Sequence, residues 1–198
     1  MVSKTREKLI EVARQLFFYK GVENTTMNDI AAASDKGRRT IYTYFKNKRE
    51  IYNAVIESQS NTVVSALKEI AESNIPYPER LKLYLIKRFD VIDEIIPRSK
   101  KTYDKYMSFF SRDIRKCEKI FDLARSKEQL ILSQLLENGV NDGAFNSEQA
   151  KALPSLLSLV YMTTDQLSLR SIENQEIDIK QLSGDIVNFV MNGILIKN

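Results

Sequence analysis

The chain has 198 residues, 43% of them hydrophobic, with 30 Lys+Arg against 26 Asp+Glu, one cysteine and no histidine. Without histidine a Ser-His-Asp or Cys-His catalytic site is impossible and the commonest metal ligand is missing, so neither an enzyme nor a metal or cofactor site is expected. A single cysteine, Cys117, excludes an intrachain disulfide. No apolar run reaches bilayer length and the charged MVSKTREKLIEV start lacks the apolar stretch of a signal peptide, so a cytoplasmic protein without a membrane partner is expected.

In chain order, apolar spacing of about 3.6 recurs throughout and no alternating strand stands out, which predicts an all-α fold. A first helix over about 3–20 carries Leu9, Ile10, Ala13, Leu16 and Phe17 on one stripe and ends at Gly21. Thr26 stands at an N-cap with Asp29 three residues on, a capping-box variant, and Ile30, Ala31 and Ala33 form a small apolar face. Asp35-Lys36-Gly37 is the turn, with Gly37 free to take a positive φ and Asp35 tolerant of it. Arg38, Arg39 and Thr40 then open a helix whose apolar side is Ile41 and Phe45. In a helix-turn-helix that end of the second helix meets base edges, and arginine bonds guanine in bidentate fashion. Tyr42, Thr43 and Tyr44 add hydroxyls, and Lys46, Lys48 and Arg49 surround a further cap at Asn47, which has Glu50 three residues later. Such cations are what phosphates bind, and Lys36 is either a further phosphate contact or a solvated lysine. Taken singly, each of these residues is ordinary helix surface. Their coincidence on one short capped helix directly after a turn carries the DNA-binding reading.

Charge gives an independent indication. Residues 1–50 hold 11 Lys+Arg against 6 Asp+Glu, whereas residues 51–198 hold 19 against 20. The basic excess therefore lies wholly in the proposed DNA-binding segment, as a phosphate-dominated and salt-sensitive interaction requires.

Further along, a long helix is expected from about Asn47 to Ser73, broken by Pro76 and Pro78 before a helix over about 79–96 that Pro97 closes. A segment from Ser99 to about Arg112 leads to a helix over about 113–138, ending near Gly139 and Gly143. Its KKTYDKYMSFFSR stretch is either an RNA-stacking surface or an amphipathic helix with exposed lysines. Ser147 can cap a helix to about Ile172, with Leu153, Leu156, Leu157, Val160 and Leu167 on it and a kink or restart at Pro154. Asp178 with Gln181 starts the last, through about Ile196, with Leu182, Ile186, Phe189, Val190 and Ile194 apolar.

Residues 4–55, through Ile30-Ala31, Thr40-Ile41-Tyr42-Thr43-Tyr44-Phe45 and Lys46-Asn47-Lys48, closely resemble the DNA-binding domain of the tetracycline-repressor-like (TetR-like) bacterial transcription regulators. The turn Asp35-Lys36-Gly37 departs from that family's usual pattern. The resemblance implies an N-terminal three-helix helix-turn-helix domain, residues 1–46, joined to a helical effector-binding and dimerisation domain, residues 47–198. It implies phosphate contacts at Thr26, Thr40, Tyr42 and Lys48, and base-facing residues at Arg38, Arg39, Thr43 and Tyr44. It further implies a homodimer through the last two helices, by Leu156, Val160, Leu167, Leu182, Ile186, Phe189 and Val190. An effector pocket is implied among Tyr84, Phe89, Tyr103, Tyr106, Met107, Phe110, Phe121, Tyr161 and Met162, with Asp165 or a tyrosine hydroxyl orienting a small, largely apolar effector. From residue type alone such aromatic and methionine positions are more often plain core. The function expected is a dimeric repressor released by that effector from a pseudo-palindromic double-stranded operator. A ligand-independent architectural or division-control protein on the same fold is the alternative, and a scaffold or enzyme with a vestigial helix-turn-helix the third.

Overall fold

The computed structural model describes residues 4–95, 114–174 and 179–196. Among the described residues the secondary structure is helical: α1 (Lys4–Lys20), α2 (Met27–Ala33), α3 (Arg38–Tyr44), α4 (Lys48–Glu72), α5 (Tyr77–Ile95), α6 (Ile114–Asn141), α7 (Ser147–Asn174) and α8 (Ile179–Ile194). The all-α class expected from periodicity is the one observed. The chain divides at 61/62, 96/97 and 121/122 into two compact units, each with its own apolar core: residues 1–61 with 97–121, and residues 62–96 with 122–198.

In the first unit α1 buries Leu9, Ile10, Ala13 and Phe17, one face at helical spacing. They share a core with Ile30 and Ala31 of α2, Ile41 of α3, and Ile51, Tyr52 and Val55 of α4. Each such large side chain, once buried, contributes about 1.5–3 kcal/mol before entropy is counted. Gly21 stops α1 in the left-handed region, at φ 81°, while its N–H still donates to the Phe17 carbonyl at 3.1 Å.

The second unit's core draws Val63 and Leu67 from α4, Leu81, Tyr84 and Leu85 from α5, and Leu132, Leu135 and Leu136 from α6. Leu153, Leu157 and Tyr161 from α7 and Val187 and Ile194 from α8 complete it. Several boundaries differ from expectation for local reasons. α5 begins at Tyr77, because Pro78 falls in the first turn, where a missing N–H removes no intrahelical bond. α6 runs through Gly139 to Asn141. The cap of α7 is Asn146 and not Ser147: its Oδ1 accepts from the Glu148 and Gln149 N–H groups at 2.9 and 3.3 Å. α7 passes Pro154 as one helix, although that proline offers no N–H to the Ala150 carbonyl. Asp178 and the side chain of Cys117 lie outside the described residues.

Gly139 sits inside α6 because the Phe145 ring, 1% exposed, lies directly on it. A Cβ at position 139 would come within 2.3 Å of two ring carbons. Phe145 has little room to withdraw, since Leu195 bridges to its backbone and the Ile194 carbonyl accepts from the Asn146 N–H at 2.9 Å. Gly139→Ala therefore sets a gain of about 1 kcal/mol in helix propensity against overpacking of about 1–3 kcal/mol or more. We expect a net loss, read as a melting temperature about 5 °C lower. A rise in melting temperature would mean that the ring moves freely.

Candidate functional site

The N-terminal basic segment is built on three short-range devices. First, Thr26 and Asp29 cap α2 reciprocally: the Asp29 N–H donates to Thr26 Oγ1 at 3.1 Å, and the Thr26 N–H donates to Asp29 Oδ2 at 2.9 Å. Second, the turn after α2 is a complete Schellman motif, in which the Lys36 N–H donates to the Ala31 carbonyl at 2.9 Å and the Asp35 N–H to that of Ala32 at 3.1 Å. Its left-handed residue is Asp35, at φ 55°, whereas Gly37 is extended at φ −64° and serves as the N-cap of α3. The positive φ expected at Gly37 thus falls two residues earlier, on a side chain that tolerates it. Third, Asn47 Oδ1 accepts the Glu50 N–H at 3.0 Å, and Glu50 Oε2 reaches back to the Lys46 N–H at 2.7 Å, starting α4.

These devices fix α3 against the core by Ile41, which is fully buried, and Phe45, 3% exposed. With that face inward, Arg38, Arg39, Tyr42, Thr43 and Lys46 are exposed, while Thr40 and Lys36 are half-buried. The Arg38 guanidinium lies over the Tyr42 ring, 5.9 Å from its centroid, and Thr43 Oγ1 donates to the Arg39 carbonyl at 3.1 Å. Two residues are placed differently from the rest. Tyr44 is half-buried and packs on the first core. Lys48 is half-buried with its ammonium on the Val22 and Glu23 carbonyls, at 2.7 and 3.1 Å, so it fastens the start of α4 to the α1–α2 connection. That bond joins residues 26 positions apart, beyond the reach of local sequence reading.

The Asp29 carboxyl is held below the usual aspartate range, first by the Thr26 backbone N–H and then by the Thr26 hydroxyl. A carboxylate whose folded pKa is depressed adds stability above its unfolded value, about 3.9, and loses it as pH falls through the folded value. Wild type should therefore melt higher than Asp29→Asn at neutral pH. The gap should close in the acid range below about pH 4. A gap that is independent of pH would show that the carboxylate charge plays no part in the cap.

In the second unit Tyr84, Phe89 and Tyr161 are buried together, as expected of a pocket or of a core. Phe89 and Tyr161 meet edge to face at 5.4 Å. Met162, by contrast, is 43% exposed, because the next position on α7 after buried Tyr161 turns outward. It is not part of that group. Tyr103, Tyr106, Met107 and Phe110 lie outside the described residues, as do the side chains of Phe121, Asp165 and Leu167.

Two charged residues that sequence reading missed sit beside these aromatics. Arg88, 3% exposed, donates from Nε to Glu128 Oε2 at 2.6 Å, and its guanidinium lies 4.6 Å from the Tyr161 ring centroid. Tyr84 donates its hydroxyl proton to the Glu128 carbonyl at 2.9 Å, and burial pushes its phenol pKa well above the ordinary value. The cleft here, lined by Tyr84, Arg125, Glu128, Ser158 and Tyr161 among others, has only about 10 Å³ of open space. A second cavity of about 230 Å³ lies between α5 and α8, lined by Ile86, Phe89, Asp90, Lys180, Gly184 and Val187 among others.

Of the residues expected at a subunit interface, Leu156 and Phe189 are 56% and 82% exposed, and Val160, Leu182, Ile186 and Val190 are half-buried. Leu159, 61% exposed, joins them on α7 and was not singled out from the sequence. Among the described residues no group of His, Cys, Asp and Glu could hold a metal ion, and no helix is long and apolar enough to cross a membrane.

Residues 9–55 match the family model for bacterial regulatory proteins of the tetR family. The HTH-type transcriptional regulator YhgD of Bacillus subtilis is 27% identical over 150 residues, 72% of this chain and 73% of that protein. The probable acrEF/envCD operon repressor of Escherichia coli K12 is 48% identical over 50 residues, 25% of this chain and 23% of that protein. This chain thus aligns with less than a quarter of the repressor's length. Among solved structures, a transcriptional regulator from Cytophaga hutchinsonii superposes with a TM-score of 0.75 at 24% identity, over 96% of this chain and 98% of that one.

Proposed function

We propose that this chain, a TetR-like bacterial regulator by its DNA-binding domain and its fold, is a dimeric sequence-specific repressor that a small effector releases from a pseudo-palindromic operator. The observation that carries the reading is the placement of α3: Ile41 is fully buried on one side and Arg38, Arg39, Tyr42 and Thr43 are exposed on the other. That is the arrangement a recognition helix needs to enter a major groove. In this reading Arg38, Arg39 and Thr43 read base edges, and Lys36, Thr26, Thr40, Tyr42 and Lys46 hold phosphates. Lys48 orients the unit through its bonds to Val22 and Glu23, with a remaining N–H for phosphate. Tyr44 contributes its hydroxyl from a half-buried ring.

Dimerisation is supported by Leu156, Leu159 and Phe189, large apolar side chains left exposed on α7 and α8, a pattern that marks a protein interface. A twofold axis would set two copies of α3 about 34–36 Å apart. The cavity of about 230 Å³ beside α5 and α8 supports the effector. α4 supplies Ile51, Tyr52 and Val55 to one core and Val63 and Leu67 to the other. It is therefore the element through which a ligand with different affinities for two α3 spacings would act. The ligand-independent architectural reading is favoured by one observation, the near-closed cleft of about 10 Å³ at Tyr84 and Tyr161.

Light scattering at micromolar concentration, followed by salt titration of binding to duplex DNA, tests the proposal. The expected result is a dimer whose affinity falls steeply with salt. A monomer would remove the dimeric reading, and binding indifferent to salt would remove the DNA reading.

A further inference from the structure

Resting on the reading that α3 enters a major groove, we propose that Arg6, on α1 and outside the α2–α3 pair, is a further phosphate anchor on the DNA. Its guanidinium lies over the Phe45 ring, 5.3 Å from the centroid, and Phe45 is the C-cap of α3. α1 therefore brings a cation to the end of the recognition helix opposite to Arg38 and Arg39. Lys46, the next residue after Phe45, is exposed there as well. Phosphates flank a helix that lies in a groove, and in helix-turn-helix variants the C-terminal end of the reading helix is one of the places that touch them.

The stacking leaves the guanidinium able to bond. A ring engages one face of the group, whereas the N–H donors lie in its plane and point from its edge. Among the described residues none meets that edge with an ion pair or a hydrogen bond. The sequence of α1 gives the reason: the positions one turn on from Arg6 are Leu9 and Ile10, both buried in the first core, and neither offers a carboxylate. Arg14 on the same helix shows the contrary arrangement. Its Nε and Nη2 donate to the two carboxylate oxygens of Glu11 at 2.8 and 2.6 Å, so its charge is answered within α1.

Arg6 also differs from a loose surface cation. It is half-buried, and the ring beneath it is itself fixed in the first core at 3% exposure. The guanidinium is thus held in place before DNA arrives, which lowers the ordering that binding requires. Its planar fork suits the paired oxygens of a phosphate. Phe45 belongs to the inward face of α3 together with Ile41. A cation lying on that ring flanks the helix and does not share the face that presents Arg38, Arg39 and Thr43, so its partner is the backbone of the DNA and not a base edge.

Salt titration of duplex binding by the full-length protein and by Arg6→Met, Arg6→Lys and Arg14→Met tests this. Arg6→Met keeps an unbranched side chain over Phe45 and removes the charge, whereas Arg6→Lys keeps the charge. Arg14→Met removes one charge from the same helix about 12 Å further along, beyond the screening length of about 8 Å at physiological salt. Arg6→Met should bind about three- to tenfold more weakly, equally on selected and random duplexes, with a salt slope lower by about 1 per subunit. Arg6→Lys and Arg14→Met should keep the wild-type slope. The slope counts phosphates met by the folded protein, so at temperatures below the melting transition a less stable variant still reports it. A wild-type slope in Arg6→Met, an equal loss of slope in Arg14→Met or Arg6→Lys, or a loss confined to the selected duplex would each overturn the inference. Wild type separates the two failures: if its affinity falls steeply with salt and Arg6→Met shares that slope, only the role of Arg6 is wrong, and if its binding is indifferent to salt the DNA reading itself fails.

Discussion

Arg38→Ala combined with Arg39→Ala is expected to weaken specific DNA binding by on the order of 10²–10⁴-fold at fixed salt, because a bidentate arginine–guanine pair is worth about 1–3 kcal/mol each. Both side chains are exposed, and neither belongs to the core that holds α3 in place. The double variant should therefore keep its melting temperature, its stability changing by less than about 0.5 kcal/mol. Loss of affinity without loss of stability separates this pair from Ile41, fully buried, whose truncation would remove affinity by unfolding the unit. Lys46→Ala should behave differently again, lowering affinity uniformly across sequences and reducing the salt slope by about 1. Competition binding on matched and mismatched duplexes over a range of salt distinguishes the three. If the arginine variant lost affinity equally for all duplexes, Arg38 and Arg39 would be phosphate contacts only.

Removing one member of the buried ion pair should be the most damaging single change in the second unit. Arg88 and Glu128 have side chains 3% and 10% exposed, so Glu128→Leu takes from a desolvated guanidinium the carboxylate that its Nε bonds at 2.6 Å. The expected cost is about 3–5 kcal/mol, a large part of the stability of an ordinary domain. Replacing both, as Arg88→Met/Glu128→Leu, should return most of it, because paired burial of two charges has little net benefit over apolar side chains of similar volume. Urea unfolding followed by circular dichroism measures the cycle. If the single and double variants were equally destabilised, packing of the methylene stems and not charge would account for the loss.

Short-range chemistry explains what was legible in the sequence. The Thr26–Asp29 box, the Gly21 stop and the Ile41–Phe45 face are set by residues within four positions of one another, and each was readable as a string. The turn was partly readable: Asp35 and Gly37 both permit positive φ, and only the paired bonds from Asp35 and Lys36 to Ala32 and Ala31 decide between them. The cap of α7 slipped by one residue for a similar reason, since Asn146 and Ser147 are both good caps. Long-range pairings were not readable. Arg88 and Glu128 are 40 residues apart and Lys48 and Val22 are 26, and charged residues at such positions look like ordinary helix surface. The close approach of Phe145 to Gly139 was hidden as well, because a glycine near a helix end reads first as a stop signal. Met162 shows the limit of residue type as a guide: only the phase of α7 separates it from Tyr161.

Selection of binding sites from random duplex DNA by the purified protein asks whether α3 reads sequence. The expected result is a palindromic consensus whose half-sites lie about one helical turn or a multiple of it apart, bound by a dimer and lost or relaxed in Arg38→Ala/Arg39→Ala. Recovery of no enriched sequence, or of one that the double variant binds equally well, would contradict it.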